Sequence, residues 1–131
     1  MGPTRTVYKL VSENDEDELF EFLREKMGII SHIGWPSFMA IRDNEIQGCI
    51  ITQAREDAVV CGPIYSENGI VAIRLLELYE AALVSMGIKE YLFSIADVGT
   101  SKMLRLAQRK EAPLVDLGEN DGQHWYKRRI A

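Results

Sequence analysis

The sequence predicts an α+β (mixed α/β) sandwich, a mixed and mostly antiparallel sheet with helices on both faces. Three observations predict it. Between residues 37 and 63, short β-rich runs alternate with polar turns, the pattern of an antiparallel meander. A long helical segment over 70–86 then lies between one apolar run and the next, a strand–helix–strand crossover. Near the C-terminus, Glu119-Asn120-Asp121-Gly122 sits between two further β-rich runs, a strong hairpin signal. At 131 residues and 47% hydrophobic, the chain is expected to form one folded domain over 1–131.

Residues 6–11 read as a strand, with Val7 and Tyr8 supplying β-propensity. Ser12 or Asn14 caps a helix to about Met27, the acids at 15–18 suit its positive end, and Gly28 fits its stop. Leu19, Phe20, Leu23 and Met27 recur at helical spacing as its buried stripe. Segment 28–36 reads as a short second helix or an apolar loop, with Trp35 as a core plug. Runs 37–41 and 46–53 form a hairpin about Asp43-Asn44, and a third strand over 57–63 returns through Ala54-Arg55-Glu56. Ser66-Glu67-Asn68-Gly69 opens the long helix, whose apolar set is Ile70, Ile73, Leu76, Leu83 and Met86, and Gly87 closes it. Run 91–96 is apolar enough for a central strand. Thr100 or Ser101 caps a basic helix to about Lys110, stopped by Pro113, before the last hairpin of 114–117 with 123–130.

The net charge of −5 and a pI near 5.1 argue against broad nucleic-acid binding. Two cysteines exclude a disulfide scaffold, and Cys49 and Cys61 are expected as thiols on neighbouring strands. No apolar run approaches the ~20 residues that span a bilayer, and the first residues lack a signal-peptide core. The expectation is a cytoplasmic protein without a membrane or nucleic-acid partner. Seven acids and one base lie between Glu13 and Glu25, whereas seven bases and four acids follow from Lys102 onward. That asymmetry suits either an anionic ligand or partner surface, or two solvated helix faces of opposite sign.

The element order resembles the GNAT superfamily of N-acetyltransferases over about residues 6–130. Asp43-Asn44-Glu45-Ile46-Gln47-Gly48 is similar to the family's turn between its second and third strands. Met86-Gly87-Ile88-Lys89-Glu90-Tyr91-Leu92 is similar to its exit from the long helix, and Val59-Val60-Cys61-Gly62-Pro63 followed by Gly69 stands where it places the cofactor strand and phosphate loop. The loop also has a physical rationale, because a helix N-terminus presents unpaired amides and a favourable dipole to an anion. The resemblance implies acetyl-CoA as cofactor. Backbone at Val60, Cys61, Gly62 and Ile64 would hold pantetheine, and amides of Glu67, Asn68, Gly69, Ile70 and Val71 would hold pyrophosphate. Departures are plain: Ser66 replaces the usual Gln or Arg, and Val71 the second small residue, where a branched side chain is expected to crowd phosphate. Ala107 replaces the tyrosine that commonly protonates the departing thiolate. A narrower resemblance, through Leu104-Arg105-Leu106, Ala112 and Asp121-Gly122-Gln123, is to GNAT-like proteins of T7-type tailed phages, which are associated with the virion or its assembly.

Two functions follow from the resemblance. One is an acetyl-CoA-dependent N-acyltransferase passing acetyl to an amine by direct attack. The other is a GNAT-fold binding or structural protein that lost the chemistry, virion-associated if phage-encoded. In either case the short chain leaves a minimal acceptor pocket, or one completed by a protein partner or a second copy. Catalytic candidates are Glu56 at the turn into the cofactor strand, Asp97 just past the fifth strand, and His32 in the segment that shapes the family's acceptor pocket. Each also has an ordinary reading, as solvated turn acid, loop or cap, and surface histidine. Cys61 reads as a nucleophile or a small buried residue; Arg74, Lys102 and Arg105 as phosphate contacts or exposed helix bases. In 124–129, alternation sends His124, Tyr126 and Arg128 to one face and Trp125, Lys127 and Arg129 to the other, as on a charge-guarded edge strand. No metal-ligand spacing is present.

Overall fold

The computed structural model describes residues 5–29, 32–55, 57–95 and 114–131. Strand β1 (Val7–Leu10) leads through a 3-10 turn (Glu13–Asp15) into helix α1 (Glu16–Met27), which Gly28 ends at φ 64°. Asp15 is the fastener of this entrance. Its Oδ2 accepts the Ser12 amide and hydroxyl, each at 2.9 Å, and its Oδ1 accepts Lys9 Nζ at 3.0 Å. The Ser12 amide bond, helped by Lys9 and opposed by partial burial, holds this carboxyl below the usual carboxylate range. The sign follows directly. A carboxyl depressed in the folded state stabilises fully above the unfolded pKa of ~3.9, and this stabilisation is lost as pH falls through the folded value. Asp15→Asn is therefore expected to cost about 1 kcal/mol at pH 7. Urea titrations of the two proteins should converge below about pH 4; an undiminished gap at pH 2 would refute the assignment.

The remaining elements are β2 (Gly34–Arg42), β3 (Glu45–Arg55), β4 (Ala58–Ser66), α2 (Gly69–Ser85), β5 (Glu90–Ile95), β6 (Leu114–Asn120) and β7 (Gln123–Arg129). They build one sheet in the order β1-β2-β3-β4-β5-β7-β6. Every adjacent pair is antiparallel except β4 and β5. The α+β sandwich read from the sequence is the observed architecture. Both hairpin turns use the expected residues, with Asp43 and Asn44, then Asp121 and Gly122, all at positive φ.

Each face of the sheet has its own core. On one, α2 packs Val71, Leu75, Leu76, Tyr79 and Leu83 over Ile50, Cys61, Tyr91, Phe93 and Tyr126. On the other, Leu19 and Leu23 of α1 cover Met39, Cys49 and Ile51. Cys49 and Cys61 are both free thiols, but on opposite faces, so they do not face each other.

Several expectations are corrected. Gly28, Ile29, His32 and Ile33 are not helical and Gly34 already begins β2, so the described residues of this segment form no second helix and leave the loop alternative. Trp35 is 61% exposed rather than a core plug, because strand geometry turns it outward while Pro36 and Ser37 are buried. The third meander strand runs past Pro63 to Ser66, since a bulge absorbs the Gly62-Pro63 step. The buried stripe of α2 is rotated from the one expected. Ile70 is 75% exposed, and Ile73 and Met86 are also exposed, because Val71 and Leu75 face the sheet instead. Strand β7 alternates as expected but lies inside the sheet, with β6 outside it as the edge. Arg128 on it is buried, paired with Glu80 of α2, rather than an exposed guard. The basic helix expected over 100–110 falls outside the described residues. Among the described residues, no helix is long and apolar enough to cross a membrane.

Candidate functional site

The parallel strands β4 and β5 share one register pair, Val60 with Leu92, and part beyond it. On its other side β4 stays bonded to β3 as far as Ser66, so its β5-facing edge over 61–66 has no strand partner among the described residues. The parting opens a cleft of about 770 Å³, within the range of small-molecule sites. Its walls include Ile50, Cys61, Ala72, Leu76 and Phe93 from the α2 face. They also include Met27, Gln53, Arg55, Ser94 and Trp125, so the cleft runs through the sheet. Thr52 is buried beneath Tyr79 of α2 and Tyr126 belongs to the α2 core, so their strand neighbours Gln53 and Trp125 point the other way.

At one end of β4 stands the N-terminus of α2. Asn68 is its cap, and its Oδ1 accepts the Val71 amide at 3.0 Å. The Glu67 amide donates to the Gln47 carbonyl at 2.9 Å. Of the five amides expected to face an anion, those two are already engaged; Asn68, Gly69 and Ile70 remain for a ligand, as helix geometry requires of a first turn. A Cβ added at Gly69 would meet nothing within 4 Å, so open space lies beside this backbone. Val71 is corrected in a second respect. Its side chain is 4% exposed and turned inward onto Gly48, so it does not crowd the outer face of the turn.

Beneath the cleft, Cys61 is buried and bonded to Tyr79, whose hydroxyl lies 2.8 Å from Thr52 Oγ1. Burial pushes the Cys61 thiol well up, and the Tyr79 bond only partly offsets it. The group is therefore a thiol at neutral pH and not an activated nucleophile. Gln53 Nε2 donates to the Gly62 carbonyl at 3.1 Å and holds the bulge of β4. At the far end, the Arg55 guanidinium lies over the Trp125 ring, 5.4 Å from its centroid.

The sequence candidates fare unequally. Val60, Cys61, Gly62 and Ile64 all line the cleft. His32 is exposed and does not line it; Glu56 and Asp97 lie outside the described residues, as do Lys102, Arg105 and Ala107. Arg74 is exposed beside Glu77 at 3.5 Å. Arg55, Gln53 and Trp125 were not singled out as a site. In the sequence Arg55 read as part of the polar turn Ala54-Arg55-Glu56, whereas it ends β3 and its partner is 70 positions away. Among the described residues no metal-ligand cluster occurs.

This seven-stranded sheet with one central parallel pair and its packed helices has the fold of solved GNAT acetyltransferases. No family model matches the sequence, and no curated protein matches it. Solved structures do. Diaminobutyrate acetyltransferase from Paenibacillus lautus, in complex with L-2,4-diaminobutyric acid and coenzyme A, superposes with a TM-score of 0.75 at 13% identity, covering 98% of this chain and 96% of that one. An acetyltransferase of the GNAT family from Streptococcus pneumoniae gives 0.71 at 11% identity, covering 97% and 100%. N-acetylglutamate synthase from Neisseria gonorrhoeae, complexed with coenzyme A and N-acetyl-glutamate, gives 0.68 at 16% identity; the match covers 99% of this chain and 36% of that one.

Proposed function

We propose that the protein is an acetyl-CoA-dependent N-acetyltransferase acting on an amine by direct attack. The observation that carries this reading is the parting of β4 from β5 after Val60, with a helix N-terminus at the open end. The free edge of β4 suits an extended, amide-bearing arm. Pro63 has no N–H to offer, so Cys61, Gly62 and Ile64 supply that contact. Pyrophosphate suits the amides of Asn68, Gly69 and Ile70, with Glu67 and Val71 setting the loop's shape. Two solved structures of this fold hold coenzyme A, which supports the same ligand here.

Bound acetyl-CoA would supply a thioester carbonyl. Attack by the amine forms the C–N bond, breaks the C–S bond and releases one proton from nitrogen, while CoA leaves as the thiol. Glu56, which precedes β4 in sequence, and Asp97, which follows β5, are the proposed bases, with exposed His32 a third candidate. The protonated, buried Cys61 supports direct attack over a route through an acyl-cysteine.

Calorimetric titration with acetyl-CoA tests the proposal. Binding is expected, and an absence of heat at about 1 mM, the upper limit of ordinary KM values, would overturn it. Gly69→Val should leave unfolding unchanged, since its Cβ meets open space, yet weaken binding roughly tenfold by keeping phosphate from the backbone. The reading as a binding or virion-associated protein drew on Val71. With that side chain buried, it loses a main support, and only binding without turnover on an amine panel would restore it.

A further inference from the structure

We infer that the acceptor amine carries a carboxylate and that Arg55, held over Trp125, receives it. This inference rests on the transfer reading and adds the class of acceptor to it. Among the described residues lining the cleft, Arg55 bears the only formal charge. Its guanidinium lies 5.4 Å from the Trp125 ring centroid and makes no ion pair or hydrogen bond to another described residue. A guanidinium stacked on an aromatic face keeps its edge donors available, and the planar fork matches a carboxylate in bidentate fashion.

The anion that Arg55 reads is not the pyrophosphate. Arg55 pairs in register with Ala58 at the start of β4, whereas the anion-binding amides follow Ser66 at its end. Eight residue steps of β4 separate these two backbone positions, roughly 25 Å at a strand's rise per residue before the bulge and the reach of the arginine side chain toward Trp125 are subtracted. Arg55 also projects from the face opposite α2, as Gln53 and Trp125 do. The helix end and Arg55 therefore serve different reactants. A second cation on the acceptor in place of a carboxylate would be repelled by Arg55, which disfavours polyamines. Gln53, Ser94 and Gln123, also on the cleft wall, offer neutral hydrogen-bonding partners to the rest of such an acceptor.

The test compares amino acids with the amines obtained by removing their carboxylate, such as lysine with cadaverine and phenylalanine with phenethylamine. With acetyl-CoA, the carboxylated member is expected to be preferred about tenfold or more in kcat/KM, the size of one charge-assisted bidentate contact. Arg55→Met should erase that preference through KM and leave acetyl-CoA binding intact. A second readout needs no turnover. In a Trp35→Phe background Trp125 is the sole tryptophan, and its emission should respond to the amino acids, not to the decarboxylated amines, and not at all in Arg55→Met. Equal response or equal turnover of both members overturns the inference. Acetyl-CoA binding with equal turnover removes this inference alone. A carboxylate-specific emission change without acetyl-CoA binding removes the transfer reading and leaves the anion site standing.

Discussion

Arg128→Met is expected to lower the unfolding free energy by about 3–5 kcal/mol, because it strands a carboxylate in the core. Arg128 is 1% exposed and Glu80 8%. The guanidinium Nε donates to Glu80 Oε2 and Nη2 donates to Oε1 at 3.2 Å, while the Tyr91 hydroxyl donates to Oε2 at 2.8 Å. Burial works against the Arg128 charge, but bonding to Glu80 outweighs it and the group stays cationic. Burial likewise pushes the Tyr91 phenol up, so it remains a donor. For a domain whose whole stability is about 5–15 kcal/mol, losing one partner is close to unfolding it.

The pair itself need not be net stabilising, since desolvation offsets much of its attraction. Glu80→Leu with Arg128→Met should therefore recover most of the loss. Adding Tyr91→Phe should recover more, because the phenol would otherwise be left without an acceptor, at about 1–3 kcal/mol. Chemical denaturation of the singles, the double and the triple measures this coupling. Additive losses across Glu80→Leu and Arg128→Met would show that the two do not act as a unit. The network ties α2 to β5 and β7, and so holds the far wall of the cleft in place.

Gly48→Val is expected to cost about 3 kcal/mol, the upper part of the range for overpacking, and to weaken acetyl-CoA binding. Gly48 lies on β3 opposite Ser66, beneath the first turns of α2. A Cβ there would stand 2.7 Å from the Tyr65 carbonyl oxygen, 2.9 Å from Val71 Cγ1 and 3.1 Å from Leu75 Cδ1. The helix can make room only by lifting, which moves the amides of Asn68, Gly69 and Ile70. Gly48→Ala should show a smaller version of both effects. Combining it with Val71→Ala should relieve the side-chain part of the clash and not the carbonyl part. Full stability in Gly48→Ala would mean that α2 is not seated on this glycine.

The two faces of the site differed in how well they could be read. The loop that opens α2 was legible because a cap residue, a glycine and an amphipathic helix start are adjacent in sequence, and backbone amides need no particular side chain. Even there, the expected role of Val71 was reversed. Helical periodicity is broad in a helix as apolar as α2, so it did not decide whether Ile70 or Val71 faces the sheet. The close approach at Gly48 decided it. Arg128 read as one of three exposed bases, because its partner Glu80 is 48 positions earlier and lies on another layer.

What the sequence determined by itself is the order of the described strands and of the two long helices, both hairpin turns and the loop that opens α2. Each depends on residues within a few positions of one another. Tertiary structure alone decided where β4 and β5 part, that the cleft passes through the sheet, and that Arg55 meets Trp125 at its far end. Those features come from pairing across strands and packing between layers, where the partners are tens of residues apart and no local pattern announces them.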